Sequence, residues 1–191
     1  MDARTFPLAP PRYSAYVDEE EETDTQLEEW YALDRPGRLA SAAVLVSTIA
    51  LCNLVVLLPI LAGEAAYYLS LAQPSWAPEP WVIVPASIGA FSLIGTAAWM
   101  VWRQPPTIAT SAALGWLAAE LVLAFVWTPI FFGAHSLGTS FMVIGTVGVT
   151  GMAATFAFGR VSLFAGFMML LSTAWIAHLA VLSGALWWLN A

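Results

Sequence analysis

The sequence contains no lysine, and its six basic side chains are all arginine. Beyond residue 39 ionisable groups nearly vanish: Glu64, Glu79, Glu120, Arg103 and Arg160 remain, with His135 and His178. So little positive charge leaves no footprint for a nucleic-acid backbone, which excludes that class of partner. One cysteine, Cys52, has no second thiol to pair with and sits inside a hydrophobic run, where it reads as a small apolar residue. Two histidines and one cysteine are too few for a protein-held metal cluster. No catalytic triad and no glycine-rich phosphate loop can be traced, so no catalytic residue is assigned and no cofactor is required. Charged residues make up 10% of the chain, against about 25% in an ordinary soluble domain.

What is present is apolar: 60% of the residues are hydrophobic. They fall into five runs, each near the roughly 20 residues that cross a bilayer as a helix. The runs cover about 39–63, 80–102, 107–132, 136–159 and 161–189, the third broken only by Glu120. The expected fold is therefore an all-α integral membrane protein, a bundle of five transmembrane helices. Its connections at Arg103–Thr107, Gly133–Ser136 and Gly159–Arg160 are short, which requires consecutive helices to run antiparallel. Small residues mark expected packing faces: Gly145, Gly148 and Gly151, Gly115 with Ala119, and Ser162 with Gly166.

Residues 1–38 are different in kind. The first 39 residues hold ten acidic side chains and four arginines, with prolines at 7, 10 and 11. Such a stretch has too little apolar surface to fold alone and reads as an acidic, largely disordered tail. A short amphipathic helix over 25–34 is the alternative for its end, since Thr25 and Glu28 have capping-box spacing and Leu27, Trp30, Tyr31 and Leu33 could lie on a membrane surface. The opening residues lack the basic-then-apolar pattern of a secretory signal. With five spans, Arg35, Arg38, Arg103 and Arg160 share one side. The excess of arginine predicts that this side, with the N-terminus, is cytoplasmic in a cell membrane.

Two features bear on function. Between the first and second runs, Tyr67, Tyr68, Pro74, Trp76, Pro78, Pro80 and Trp81 crowd into one connection. Proline stiffens such a loop, and tyrosine and tryptophan favour the headgroup level, so it reads as a rigid aromatic lid. With Phe91, Trp99, Trp127, Phe131 and Trp175 these rings form the expected lining of a flat hydrophobic pocket; an interfacial belt is the plainer alternative. The second feature is Glu120, near the middle of a span, where a carboxylate costs on the order of 3 kcal/mol. His178 falls at a similar depth on the fifth run. Either the two face one cavity and share a proton or a ligand, or each is satisfied locally. His178 could also stand alone as an axial ligand to a metallated tetrapyrrole.

The segment P-S-W-A-P-E-P-W (74–81), the helix end A-A-W-M-V-W-R (97–103), W-T-P-I-F-F-G-A-H (127–135) and A-L-W-W-L-N (185–190) together resemble the TspO/MBR family, over about residues 40–190. That resemblance implies a five-helix bundle, often dimeric, whose cavity near the first loop takes porphyrins, sterols and synthetic benzodiazepine-type ligands. It implies a homodimer in contact with membrane lipid, and a receptor or carrier binding a hydrophobic, tetrapyrrole-like ligand. Taken together with the aromatic set and the Glu120 and His178 positions, it gives as expected ligand-binding residues Tyr67, Tyr68, Pro74, Trp76, Trp81, Phe91, Glu120, Trp127, Trp175, His178 and Ser183. The pattern departs from the family at Tyr67, Gln73, Glu79, Ser87, Phe91, Glu120, Ala124, Val143, Leu171-Ser172 and Ser183, so the scaffold is kept while much polar lining is replaced. Two other roles stay open: a porphyrin- or lipid-modifying enzyme using Trp175 or Glu120, and an accessory subunit of a larger membrane complex.

Overall fold

The structure, a computed structural model, describes residues 37–61 and 65–191. The tail and its candidate helix over 25–34 lie outside the described residues. Five helices are long and apolar enough to cross a membrane, with mean hydropathies between 1.7 and 2.6. They are α1 (Arg38–Leu61), α3 (Pro80–Trp102), α4 (Ile108–Thr128), α5 (Leu137–Val161) and α6 (Leu163–Asn190). A short helix, α2 (Ala65–Ser70), lies in the first connection. Among the described residues there is no strand.

The ends of these helices follow from local chemistry. Pro80 opens α3, where its missing N–H would have had no intrahelical partner. Thr107 caps α4 by accepting from the Thr110 N–H, while the Thr110 hydroxyl accepts from the Thr107 N–H, so two orphan donors are satisfied reciprocally. Ser162 alone separates α5 from α6, and its hydroxyl accepts from the Ala165 N–H. At the end of α4 the chain widens into a π-helical turn over Pro129–Gly133, where the expected reading was unbroken helix. Pro129 has no N–H to give to the preceding turn, and its carbonyl instead accepts from Ala134 five residues on, at 2.9 Å.

In lipid the bundle cannot rely on hydrophobic burial between helices, so close backbone approach and interhelical hydrogen bonds carry the packing. Around the ring, α1 packs on α3, α3 on α6, α6 on α5 and α5 on α4, and α4 meets α1 less extensively. In the α1–α3 seam the backbones approach closely. A Cβ placed on Gly95 would lie 2.6 Å from the Cα of Ile49. That proximity lets the Thr48 hydroxyl donate to the Gly95 carbonyl at 3.0 Å and the Asn53 amide to Ser92 Oγ at 3.1 Å. At the arginine-bearing end, the Trp99 indole donates to the Ser41 carbonyl at 2.9 Å, with the Arg103 guanidinium 4.8 Å above the ring. Trp99 is thus an anchor between α3 and α1 and does not line the cavity at the other end of the bundle.

The three glycines of α5 do not form one packing ridge. Steps of three fall about 60° short of a full turn, so the set winds round the helix. Gly151 is buried against α4 and α6, whereas a Cβ on Gly145 or Gly148 would meet nothing within 4 Å.

Candidate functional site: an apolar cavity at the loop end

At the end of the bundle that carries α2 there is a cavity of about 260 Å³. Every span contributes to its wall. The α1 side is Val55, Val56, Pro59 and Ile60; α3 gives Pro80, Ile83, Val84, Ser87 and Phe91. α4 and its π-turn give Ala124, Trp127, Phe131 and Phe132; α5 gives Ile144 and Val147. α6 gives Ile176, Leu179, Leu182, Ser183 and Leu186, and Tyr68 of α2 closes the top. Among the described residues, no charged side chain lines it.

Helical spacing explains which residues reach the wall. On α3 the sequence Pro80, Ile83, Val84, Ser87, Phe91 advances by steps of three and four, so one stripe faces inward. The π-turn does the same for aromatics: its wider turn keeps Trp127, Phe131 and Phe132 on one side. Trp127 stacks on Phe131 with centroids 5.1 Å apart, and Phe132 meets Phe131 edge-on at 4.8 Å. The Tyr68 hydroxyl donates to the Pro78 carbonyl at 3.1 Å, which pins the loop over the opening. Burial, and then the nearby Glu79 carboxylate, push its phenol above the ordinary range, so it stays a neutral donor.

Four of the expected site residues therefore line the cavity: Tyr68, Phe91, Trp127 and Ser183. The Trp127 indole nitrogen and the Ser183 hydroxyl are buried and have no hydrogen-bond partner among the described residues. The other seven lie elsewhere. Tyr67 stacks on His135, centroids 3.9 Å apart, and packs its edge on Phe131. His135 adopts φ 52°, a left-handed conformation that places it at the α4–α5 turn beneath that ring. Pro74 forms a turn in which its carbonyl accepts from Ala77.

The lid expectation fails for two of its tryptophans. Trp81 is 76% exposed, because it follows Pro80 and is rotated off the inward stripe of α3. Trp76 is 47% exposed and rests its ring on His178, centroids 5.9 Å apart, outside the wall. Trp175 stacks on His178 with centroids 5.3 Å apart, and its indole donates to Ser87 Oγ at 3.0 Å. Trp175 thus touches the cavity only through Ser87. Roofing is instead done by Tyr68 and the α2 segment.

Glu120 and His178 are not brought together. Neither carboxyl oxygen of Glu120 has a hydrogen-bond partner among the described residues. Glu120 is 1% exposed and sits one turn from Ala124, in the α4–α5–α6 seam away from the cavity wall. It occupies the space that a side chain on Gly151 would need: a Cβ there would lie 2.8 Å from Glu120 Oε1 and 3.2 Å from Thr173 Oγ1. Thr173 and Thr155 share a hydrogen bond of 3.0 Å beside it. His178 points instead to the α6 flank that faces the loop. Because the carboxyl has no partner among the described residues, Glu120→Met, which places an apolar side chain of similar length there, is expected to keep the fold and raise the thermal unfolding temperature in detergent. A lowered midpoint would show a partner for the acid.

The aliphatic wall residues were not foreseen. Their spacing is that of any packed helix, and periodicity alone cannot tell a face against a cavity from one against a neighbour. A stronger clue was available in Ser87 and Ser183, small polar residues at inward positions of apolar spans.

The class defined by this geometry is a multi-pass membrane protein, five helices around an apolar chamber beside the loop segment that carries α2. A family model described as the TspO/MBR family matches residues 40–189, and the chain belongs to that family. Among its relatives, the translocator protein of Homo sapiens is 31% identical over 123 residues, 63% of this chain and 73% of that protein. Protein CrtK of Rhodobacter capsulatus is 28% identical over 130 residues, 67% of this chain and 81% of the relative. The tryptophan-rich sensory protein of Cereibacter sphaeroides is 28% identical over 109 residues, 57% and 67% of the two chains.

Proposed function

We propose that this protein is a membrane receptor or carrier for a hydrophobic small molecule held in the cavity between Tyr68, Phe91, Trp127 and Ser183. The observation that carries this reading is the chamber of about 260 Å³ whose described lining residues carry no charge. A small-molecule site is of this kind: mostly apolar, with a few polar groups to orient the ligand. The unpartnered Trp127 and Ser183 atoms are the groups available for that. A tetrapyrrole-like ligand is the candidate the family suggests. No basic residue lines the wall to neutralise its carboxylates, so those groups belong at the aqueous mouth, and a smaller neutral flat molecule suits the interior better. Titrating the purified protein with protoporphyrin and with an uncharged aromatic probe should quench tryptophan fluorescence at micromolar ligand. Silence towards both would remove the receptor reading.

The membrane placement in this proposal is a cell membrane with the N-terminus cytoplasmic. It is supported by Arg38, Arg103 and Arg160, which fall at one end of successive antiparallel spans. A cysteine-labelling scan should then find Ser75→Cys reactive from outside the cell. Labelling only after permeabilisation would invert the topology. A homodimer is likewise part of the proposal, with the open glycine faces of α4 and α5 at Gly115, Gly145 and Gly148 as the surfaces free for close approach.

A further inference from the structure

The segment that roofs the cavity is fastened to the bundle at Tyr67 on His135, at Trp76 on His178, and at Asn190. The last attachment is of a different kind. The Asn190 side-chain oxygen accepts from the Ala72 N–H at 2.9 Å, and its amide donates to the Ala72 carbonyl at 2.9 Å. One side chain thus satisfies both backbone groups of one residue 118 positions away, as a neighbouring strand would. The same amide also donates to the Leu186 carbonyl at 2.8 Å, which fixes the rotamer that reaches Ala72.

The position of this clamp matters more than its strength. Asn190 lies one helical turn beyond Leu186, and Ala72 lies four residues beyond Tyr68; both Leu186 and Tyr68 are wall residues of the cavity. Gln73, next to Ala72, donates to the Tyr68 carbonyl at 2.9 Å, so displacement of Ala72 is passed directly to the residue that closes the chamber. Leu71 and Ala77 pack on the cluster of Tyr68, Phe131, Leu182 and Leu186, which is the apolar half of the same closure.

We propose that Asn190 is the latch of the cavity: a positioning residue that holds the 65–79 segment shut and so sets how fast a ligand enters and leaves. This rests on the cavity being the ligand site. The apolar contacts define the closed position, and the two Asn190 bonds set the share of time spent in it. Losing them leaves the closed wall, and hence the affinity, unchanged while opening becomes more frequent.

The test has two arms on the full-length protein in detergent. In the first, amide hydrogen exchange of the peptide containing Ala72 is compared between wild type, Asn190→Ala and Asn190→Gln. Exchange should quicken about tenfold in Asn190→Ala, the worth of two modest hydrogen bonds, and less in Asn190→Gln, which keeps both groups on a longer stem. In the second, stopped-flow fluorescence follows N-phenyl-1-naphthylamine. Association and dissociation should both accelerate in Asn190→Ala while Kd stays within about twofold, since a latch shifts the opening equilibrium and not the closed contacts. A merely structural helix end would weaken Kd without faster association. Unchanged exchange at Ala72 overturns the latch. Wild type failing to bind the probe, with exchange still dependent on Asn190, overturns the receptor reading and leaves the latch standing.

Discussion

Ala124→Phe is expected to abolish ligand binding while leaving the protein folded. Ala124 is buried, lies on the cavity wall and is one turn before Thr128, so a benzyl group there projects into the chamber. The chamber has room for a ring but not for a ring and a ligand together. Affinity for either a porphyrin or a neutral aromatic probe should fall at least ~100-fold, because the ligand would have to expel a covalently attached group from the same space. Stability should hold or rise by about 0.5–2 kcal/mol, as cavity filling commonly gives. Ala112→Phe, on the exposed face of the same helix, is the control and should change neither property. Tight binding by Ala124→Phe would move the site out of this cavity.

The second large effect is on stability. Gly95→Leu should cost about 3 kcal/mol or more, at the upper end of overpacking penalties, because the obstacle is backbone. A Cβ at this position would fall 2.6 Å from Ile49 Cα and 2.8 Å from Ile49 N, and neither can swing aside as a side-chain tip could. α1 must then move off α3, which also breaks the Thr48–Gly95 and Asn53–Ser92 bonds. Thermal unfolding in detergent should drop sharply, and the α1 side of the cavity, Val55 to Ile60, should open. Gly89→Leu, where a Cβ meets nothing within 4 Å, should be close to neutral. Equal losses at the two positions would show that helix propensity and not the seam is being measured.

The architecture was legible because its cause is local and one-dimensional. Uncharged runs of bilayer length have one stable outcome in lipid, and they coincide closely with the five spans. The third span's π-turn was not legible as such, although Pro129 within W-T-P-I-F-F carries the missing donor that produces it. The site was legible in part. Tyr68, Phe91, Trp127 and Ser183 could be picked out by residue type and by family resemblance. Trp81, Trp175 and His178 are equally aromatic, yet they lie off the inward stripes, where helical phase decides what reaches the wall, and Trp76 lies in a loop turn that no helical pattern places. Glu120 was identified as exceptional, but its neighbours Gly151 and Thr173 come from two other helices, and no pattern within α4 reveals them. Asn190 drew no notice because a lone amide at a helix end looks like any polar terminus until Ala72 is placed beside it.

A chamber walled almost wholly by hydrocarbon and aromatic carbon has little means of telling molecules apart by functional group. It must discriminate by size. Along a homologous series of uncharged guests, each added methylene would strengthen association by about 0.8 kcal/mol until the volume is used up. Beyond that length the gain would stop abruptly, and the chain position at which it stops would measure the chamber as surely as a set of calipers.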